Sequence, residues 1–259
     1  MENSLREQIV TILEEIEDAA WEEDYDDIIQ RFKDIPDVYW KDAMCFSKII
    51  ETLLPTANDE LTIYPIDVIP DWFWEDKSNV LNDYFRVLWD YYAENRVYFN
   101  LCELLPMRLL DDPECARLLL ECNVDETLSY MSEDLMVVPE IALSALRGVW
   151  LKIEWSNDNC SSMRPPFNER ECLEKFFEEI PKALASGKEF VLGFISSGYF
   201  ADDIDLLYDW MDKELWSDRD VVWEALSDNS GALEYVSKDL LQDADFLQKL
   251  KEELKIAID

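Results

Sequence analysis

The chain has 259 residues, with 59 Asp and Glu against 23 Lys and Arg, a formal net charge of −36 and no histidine. Apolar residues at 49% and aromatics at 13% argue for a folded core, because disordered acidic chains are poor in both. The missing imidazole excludes Ser-His-Asp and Cys-His nucleophile systems, HExxH zinc sites and any histidine general base.

Taken in chain order, the start MENSLREQ lacks a basic stretch followed by an apolar one, so no secretory signal is expected. No apolar run approaches roughly 18 residues, the length of a membrane span, and a cytoplasmic location is expected. Ile9, Leu13, Ile16 and Ala20 line one face of an amphipathic helix, with Glu14, Glu15, Glu17 and Asp18 largely outside that stripe. The same periodicity predicts helices over 40–54, 77–95, 113–123, 139–155, 169–179, 188–197 and 245–257. Asp112-Pro113 is a helix start, an Asp cap followed by Pro at the first helical position. Strand-like alternation is scarce; LTIYPIDVIP (61–70) is the best case, and its prolines demote it to a loop or edge. The polar, proline-paired stretch SNDNCSSMRPPFN (156–168) reads as a linker between lobes at 1–155 and 169–259. The expected class is all-α.

A short block recurs along the chain: an apolar residue, then Pro or a small polar residue, then an apolar pair and often an Asp. It stands at DIPDVYWKD (34–42), VIPDWFWED (68–76), LLPMRLLDD (104–112), YMSEDLMVV (130–138), EIPKALASG (179–187), WMDKELWSD (210–218) and YVSKDLLQD (235–243). Its second position falls at Pro36, Pro70, Pro106, Ser132, Pro181, Asp212 and Ser237, an irregular spacing. Each block is expected to be a short helix that stops near the Asp, which caps the next helix. A two-helix unit of this size cannot bury its apolar side alone, so the prediction is an irregular array of stacked helix pairs, α-solenoid-like. Trp40, Trp72, Trp74 and Trp216 fall within the blocks, where packing between units is expected of them. Leu240 is placed on the buried side of the last block.

The stretch DRDVVWEALSDNSGALEYVSKDLLQDADFL (218–247) resembles a tandem α-helical repeat family of unknown function. Its units run D-x-x-V-V-x-x-A-(V/L)-x-x-N-G-x-A-L-x-x-(A/V)-S-x-x-L-x-x-D. Asp218, Val221, Val222, Ala225, Leu226, Asn229, Gly231, Ala232, Leu233, Ser237, Leu240 and Asp243 fit, with Ser230 inserted between Asn and Gly. The run 128–146 is similar over a shorter span. The resemblance implies paired short helices in an array, and no catalytic residue.

Chemistry finds little support. The six cysteines include no CxxC pair and read as buried thiols rather than a zinc or disulfide set. The stretch EEDYDD (22–27) offers oxygen ligands without the spacing of an EF-hand loop, and no P-loop or GxGxxG is present. No cofactor and no enzymatic activity are expected. The charge selects partners instead: phosphate backbones and anionic membranes repel such a chain, and basic proteins attract it. A salt-loving host is the bland reading of the same composition. Two acidic clusters beside aromatic residues are the candidate partner-binding sites. They are Glu22, Glu23, Asp24, Asp26 and Asp27 next to Trp21 and Tyr25, and Asp202, Asp203, Asp205 and Asp209 next to Tyr208 and Trp210. In composition alone the chain is similar to acidic nucleic-acid mimics with which phages and mobile elements disable defence nucleases. The expected function is an inhibitor that occupies the basic surface of a nucleic-acid-binding protein. An immunity protein for a basic toxin and a helical-repeat scaffold or adaptor are the alternatives.

Overall fold

The structure, a computed structural model, describes residues 2–20, 25–56, 65–88, 102, 104–122, 124–159, 168–199 and 203–255. Every regular element among them is helical, and the class is all-α. No described helix is long and apolar enough to cross a membrane. The chain divides into two compact units, Met1–Leu109 and Leu110–Asp259, and the third block straddles the division.

The recurring block has one geometry. Its second residue is extended: Pro36, Pro70, Ser132, Pro181 and Asp212 all have φ between −70° and −57° and ψ between 130° and 150°. Its carbonyl accepts from the N–H three residues on, at Tyr39, Phe73, Leu109, Leu135, Leu184 and Leu215, over 2.8–3.1 Å. In the last block the Ser237 hydroxyl accepts from the Leu240 N–H at 3.4 Å instead. One turn of helix follows, and a proline suits its start because its fixed φ and missing N–H match what a first turn needs. The next two residues turn outward and the two after them face the core, as Tyr39–Trp40, Phe73–Trp74 and Leu135–Met136 do. Leu240 is buried as expected, whereas Leu215 and Leu241 are half-buried.

The block then hands over to the next helix through its Asp. Asp42, Asp76, Asp112, Asp218 and Asp243 each accept from backbone N–H groups two or three residues on, which stops one helix and starts another. Residues three, four, seven and eight after the cap form the buried stripe of the following helix. Cys45, Phe46, Ile49 and Ile50 make it in the first unit, and Val221, Val222, Ala225 and Leu226 in the second.

In the first unit Glu2–Ala20 lies against Tyr25–Lys33 and Ala43–Thr56. Ile9, Leu13 and Ile16 are buried as the stripe predicts. Two details differ from the sequence reading. Pro65–Val68 is a helical turn rather than a loop or edge, because Pro65 occupies its first position; residues 61–64 lie outside the described set. The helix beginning at Lys77 changes to a π-type turn over Val80–Tyr84, which brings Val80 and Tyr84 inward.

In the second unit the longer helices pack in chain order, Pro113–Cys122 on Pro139–Asn159, that on Lys188–Ser197, and that on Arg219–Asp228. Gly148 permits the first of these contacts: a Cβ there would run into the Leu120 carbonyl oxygen. The two compact units divide after Leu109, and not at the expected 156–168. Residues 156–159 complete the helix Pro139–Asn159, and that helix shares one core with chain on both sides of the expected linker, from Ala116 to Leu250. Residues 160–167 lie outside the described set.

Candidate acidic interaction surface

Of the first predicted cluster, Glu22, Glu23, Asp24 and the neighbouring Trp21 lie outside the described residues. Asp26 and Asp27 stand exposed in the first turn of Tyr25–Lys33, where carboxylates favour the positive end of a helix. Asp27 accepts from Arg31 Nε at 2.8 Å, one turn on, so its charge is matched locally.

The second cluster is changed more. Asp202 lies outside the described set. Asp203 and Asp205 converge on Arg170 from the helix Glu169–Glu179, at 3.2 Å and 3.1 Å, and Asp205 accepts from both terminal nitrogens. Glu174 completes the set at 3.3 Å from Arg170 Nε. The Asp205 hydrogen bonds are the main cause that holds the Arg170 guanidinium above its ordinary pKa. These two carboxylates therefore tie two helices together inside the unit, and Asp209 is left exposed without that bond. Linear reading misses this because Arg170 is separated from the cluster by more than thirty residues.

The aromatic residues beside that cluster are not exposed anchors. Tyr208 is buried, edge-on to Trp216 at 4.8 Å and 5.0 Å from Tyr235. Among the described residues its hydroxyl has no hydrogen-bond partner, and burial pushes its pKa up. Trp210 is half-buried, stacked on Phe177 at 4.8 Å with Lys182 Nζ 4.7 Å above its ring. Trp40, Trp74 and Trp216 are core residues, as the block predicts. Trp72 is half-buried, donates to Asp37 at 3.3 Å and carries Lys41 at 4.8 Å over its ring. Cys45, Cys102 and Cys115 are buried; burial raises the Cys45 pKa to about 11, assisted by Asp42.

One feature escapes the linear reading. A cleft of about 200 Å³ opens in the first unit, lined by Ile12, Glu15, Ile16, Arg31, Asp34, Ile35 and Pro36. It lies where the first two helices meet the first block. Ile16 and Ile35 are buried at its floor, Ile12 is half-buried, and Glu15, Asp34 and Arg31 are exposed at its rim. The available signal is Ile12, an isoleucine one position off the buried stripe. In the second unit, by contrast, Asp125 is matched by Lys152 and Lys175, and Lys175 by Glu179, around a hollow of only about 30 Å³.

Comparison of the chain with protein-family models, with curated proteins and with solved structures gives no match.

Proposed function

We propose that the protein works without chemistry of its own, as an acidic binding protein that occupies the basic, nucleic-acid-binding surface of another protein in place of nucleic acid. One observation carries this reading: if every Lys and Arg were matched to its own carboxylate, 36 carboxylates would still be left over. Like charges held on helices destabilise the compact state, whereas solubility needs a net charge of only about 2–8. The excess spans both units, with 25 carboxylates against 9 basic side chains in residues 1–109 and 34 against 14 in residues 110–259. Helices hold the carboxylates at fixed spacing, and Arg and Lys of the partner pair with them as they do with phosphates. The surplus corresponds to the phosphates of roughly 18 base pairs of duplex. An immunity protein for a basic toxin uses the same physics. The second reading, a repeat adaptor that grips a helix or peptide, is supported by the sixfold recurrence of one block geometry.

The test is displacement. Purified basic nucleases and nucleic-acid-binding domains are each loaded with a fluorescent duplex of about 20 base pairs and titrated with the protein at about 50 and about 200 mM salt. The expected result is release of duplex from at least one of them, with much weaker competition at the higher salt. Binding that ignores salt favours the adaptor, and displacement from none overturns the mimic.

A further inference from the structure

We infer that the cleft between Glu2–Ala20 and Tyr25–Lys33 seats a single Lys or Arg side chain projecting from a basic protein partner, an inference that rests on the function proposed above. The cleft combines two surfaces that only a long cationic side chain matches at once. Its floor is aliphatic: Ile16 and Ile35 are 3% and 4% exposed, and Ile12 adds a half-buried methyl edge. Its volume of about 200 Å³ is that of about six or seven water molecules at about 30 Å³ each, room for an extended side chain. Methylene stems of Lys and Arg lie along such surfaces while their heads remain at the polar edge.

The rim supplies the matching charge. Glu15 and Asp34 face the opening, and no basic side chain is paired with either among the described residues. Among the described residues Asp34 accepts from the neutral Gln30 amide, at 2.8 Å. Arg31, the one cation lining the cleft among the described residues, is bound to Asp27 at 2.8 Å. Glu15, Asp27 and Asp34 thus outnumber it, and an incoming cation meets net negative charge. An apolar visitor would strip water from these carboxylates without replacing their hydrogen bonds, which disfavours it. Phosphate is repelled by the same charges.

The inference is tested by methyl NMR on the full chain, labelled at isoleucine and titrated with a hexa-arginine peptide at about 50 mM salt. The expected result is movement of the Ile12, Ile16 and Ile35 methyl signals. In the double variant Glu15→Gln with Asp34→Asn, that movement is lost and peptide binding weakens roughly 2- to 30-fold. Both substitutions are on exposed positions, and unchanged circular dichroism verifies the fold. If the peptide binds while those methyls stay still, or the double variant binds as the wild type does, the cleft assignment is overturned and the proposed function stands. If the peptide does not bind at all, the cleft and the function proposed for the acidic surface are overturned together.

Discussion

The two units carry the same block but join successive blocks by different chemistry. In the first unit the second position is proline at Pro36 and Pro70, which have no N–H to offer a neighbouring block. Aromatic packing makes the join instead: Phe46, just after the first block, stacks on Phe73 of the second at 4.7 Å, and Trp72 donates to Asp37. In the second unit the same position is Ser132, Pro181, Asp212 and Ser237, and in the last two blocks it donates its N–H to the fourth residue after the second position of the preceding block. Asp212 bonds the Ala185 carbonyl at 2.8 Å and Ser237 the Trp216 carbonyl at 2.9 Å. Ion pairs repeat that step, with Lys188 on Asp218 and Asp220, and Arg219 on Asp243. A proline thus shapes the turn more firmly and gives up a link, so the joining energy must come from side chains.

The most damaging break should be Phe73→Ala. Phe73 is fully buried between Phe46 and Trp74, and Phe-to-Ala changes in cores lose about 3–5 kcal/mol. Denaturant unfolding followed by tryptophan fluorescence measures it; a loss below about 1 kcal/mol would mean the aromatic join is not holding the first unit.

Asp212→Pro transplants the first unit's solution into the second. The backbone already has φ −67°, and Met211 before it is extended at ψ 160°, so the ring fits without strain. What is lost is the bond to Ala185 and the side-chain cap on Glu214, partly offset by a less flexible unfolded chain. The expected net loss is about 1–2 kcal/mol, larger than that of Asp212→Ala, which keeps the N–H. Equal losses for the two variants would show that the inter-block bond is worth no more than the unfolded-chain entropy the proline removes.

The smallest effect concerns the caps, which both units share. Burial raises the Asp218 pKa, but Lys188 and the N–H groups of Val221 and Asp220 outweigh it, leaving it below the usual carboxylate range. Asp42 is lowered chiefly by the Cys45 N–H, and Asp76 chiefly by the Ser78 hydroxyl. A lowered folded pKa gives stability that is complete above the unfolded value, about 4, and fades as pH falls through the folded one. Asp218→Asn should therefore flatten the loss of stability below about pH 4, by a few tenths to about 1 kcal/mol. An acid unfolding curve identical to wild type would remove the cap from the acid response.

Much of this was legible in the chain because local rules govern it. The Asp caps, the Pro-led turns and the 3.6-residue stripes are decided within a few residues, and each motif position in 218–243 has a local task. Asn229, for instance, accepts from the Gly231 N–H at 2.8 Å, and Ala232 is buried. The acidic sites were less legible, because a carboxylate's role depends on bases far along the chain. Asp203 and Asp205 read as free charge until Arg170 is placed beside them. Tyr208 and Trp210 sit in a charged stretch, yet partners such as Trp216 and Phe177 decide their burial. The linker misreading has a similar origin: polar residues at the end of Pro139–Asn159 continue a helix whose core contacts lie earlier in it.

The parallel run of the longer helices in the second unit has an electrostatic consequence. Lys188, at the start of one helix, meets Asp218 and Asp220 at the start of the next, and Ser196 near its end donates to Glu224 further along. Their peptide dipoles therefore add, with positive poles on one edge and negative poles on the other. At the positive edge, cap and first-turn carboxylates are partly cancelled by the poles they face. At the opposite edge, neither Lys188–Ser197 nor Arg219–Asp228 has a basic residue in its last turn. There the negative poles add to the side-chain charge and reinforce the negative field along that edge, which a count of carboxylates does not single out.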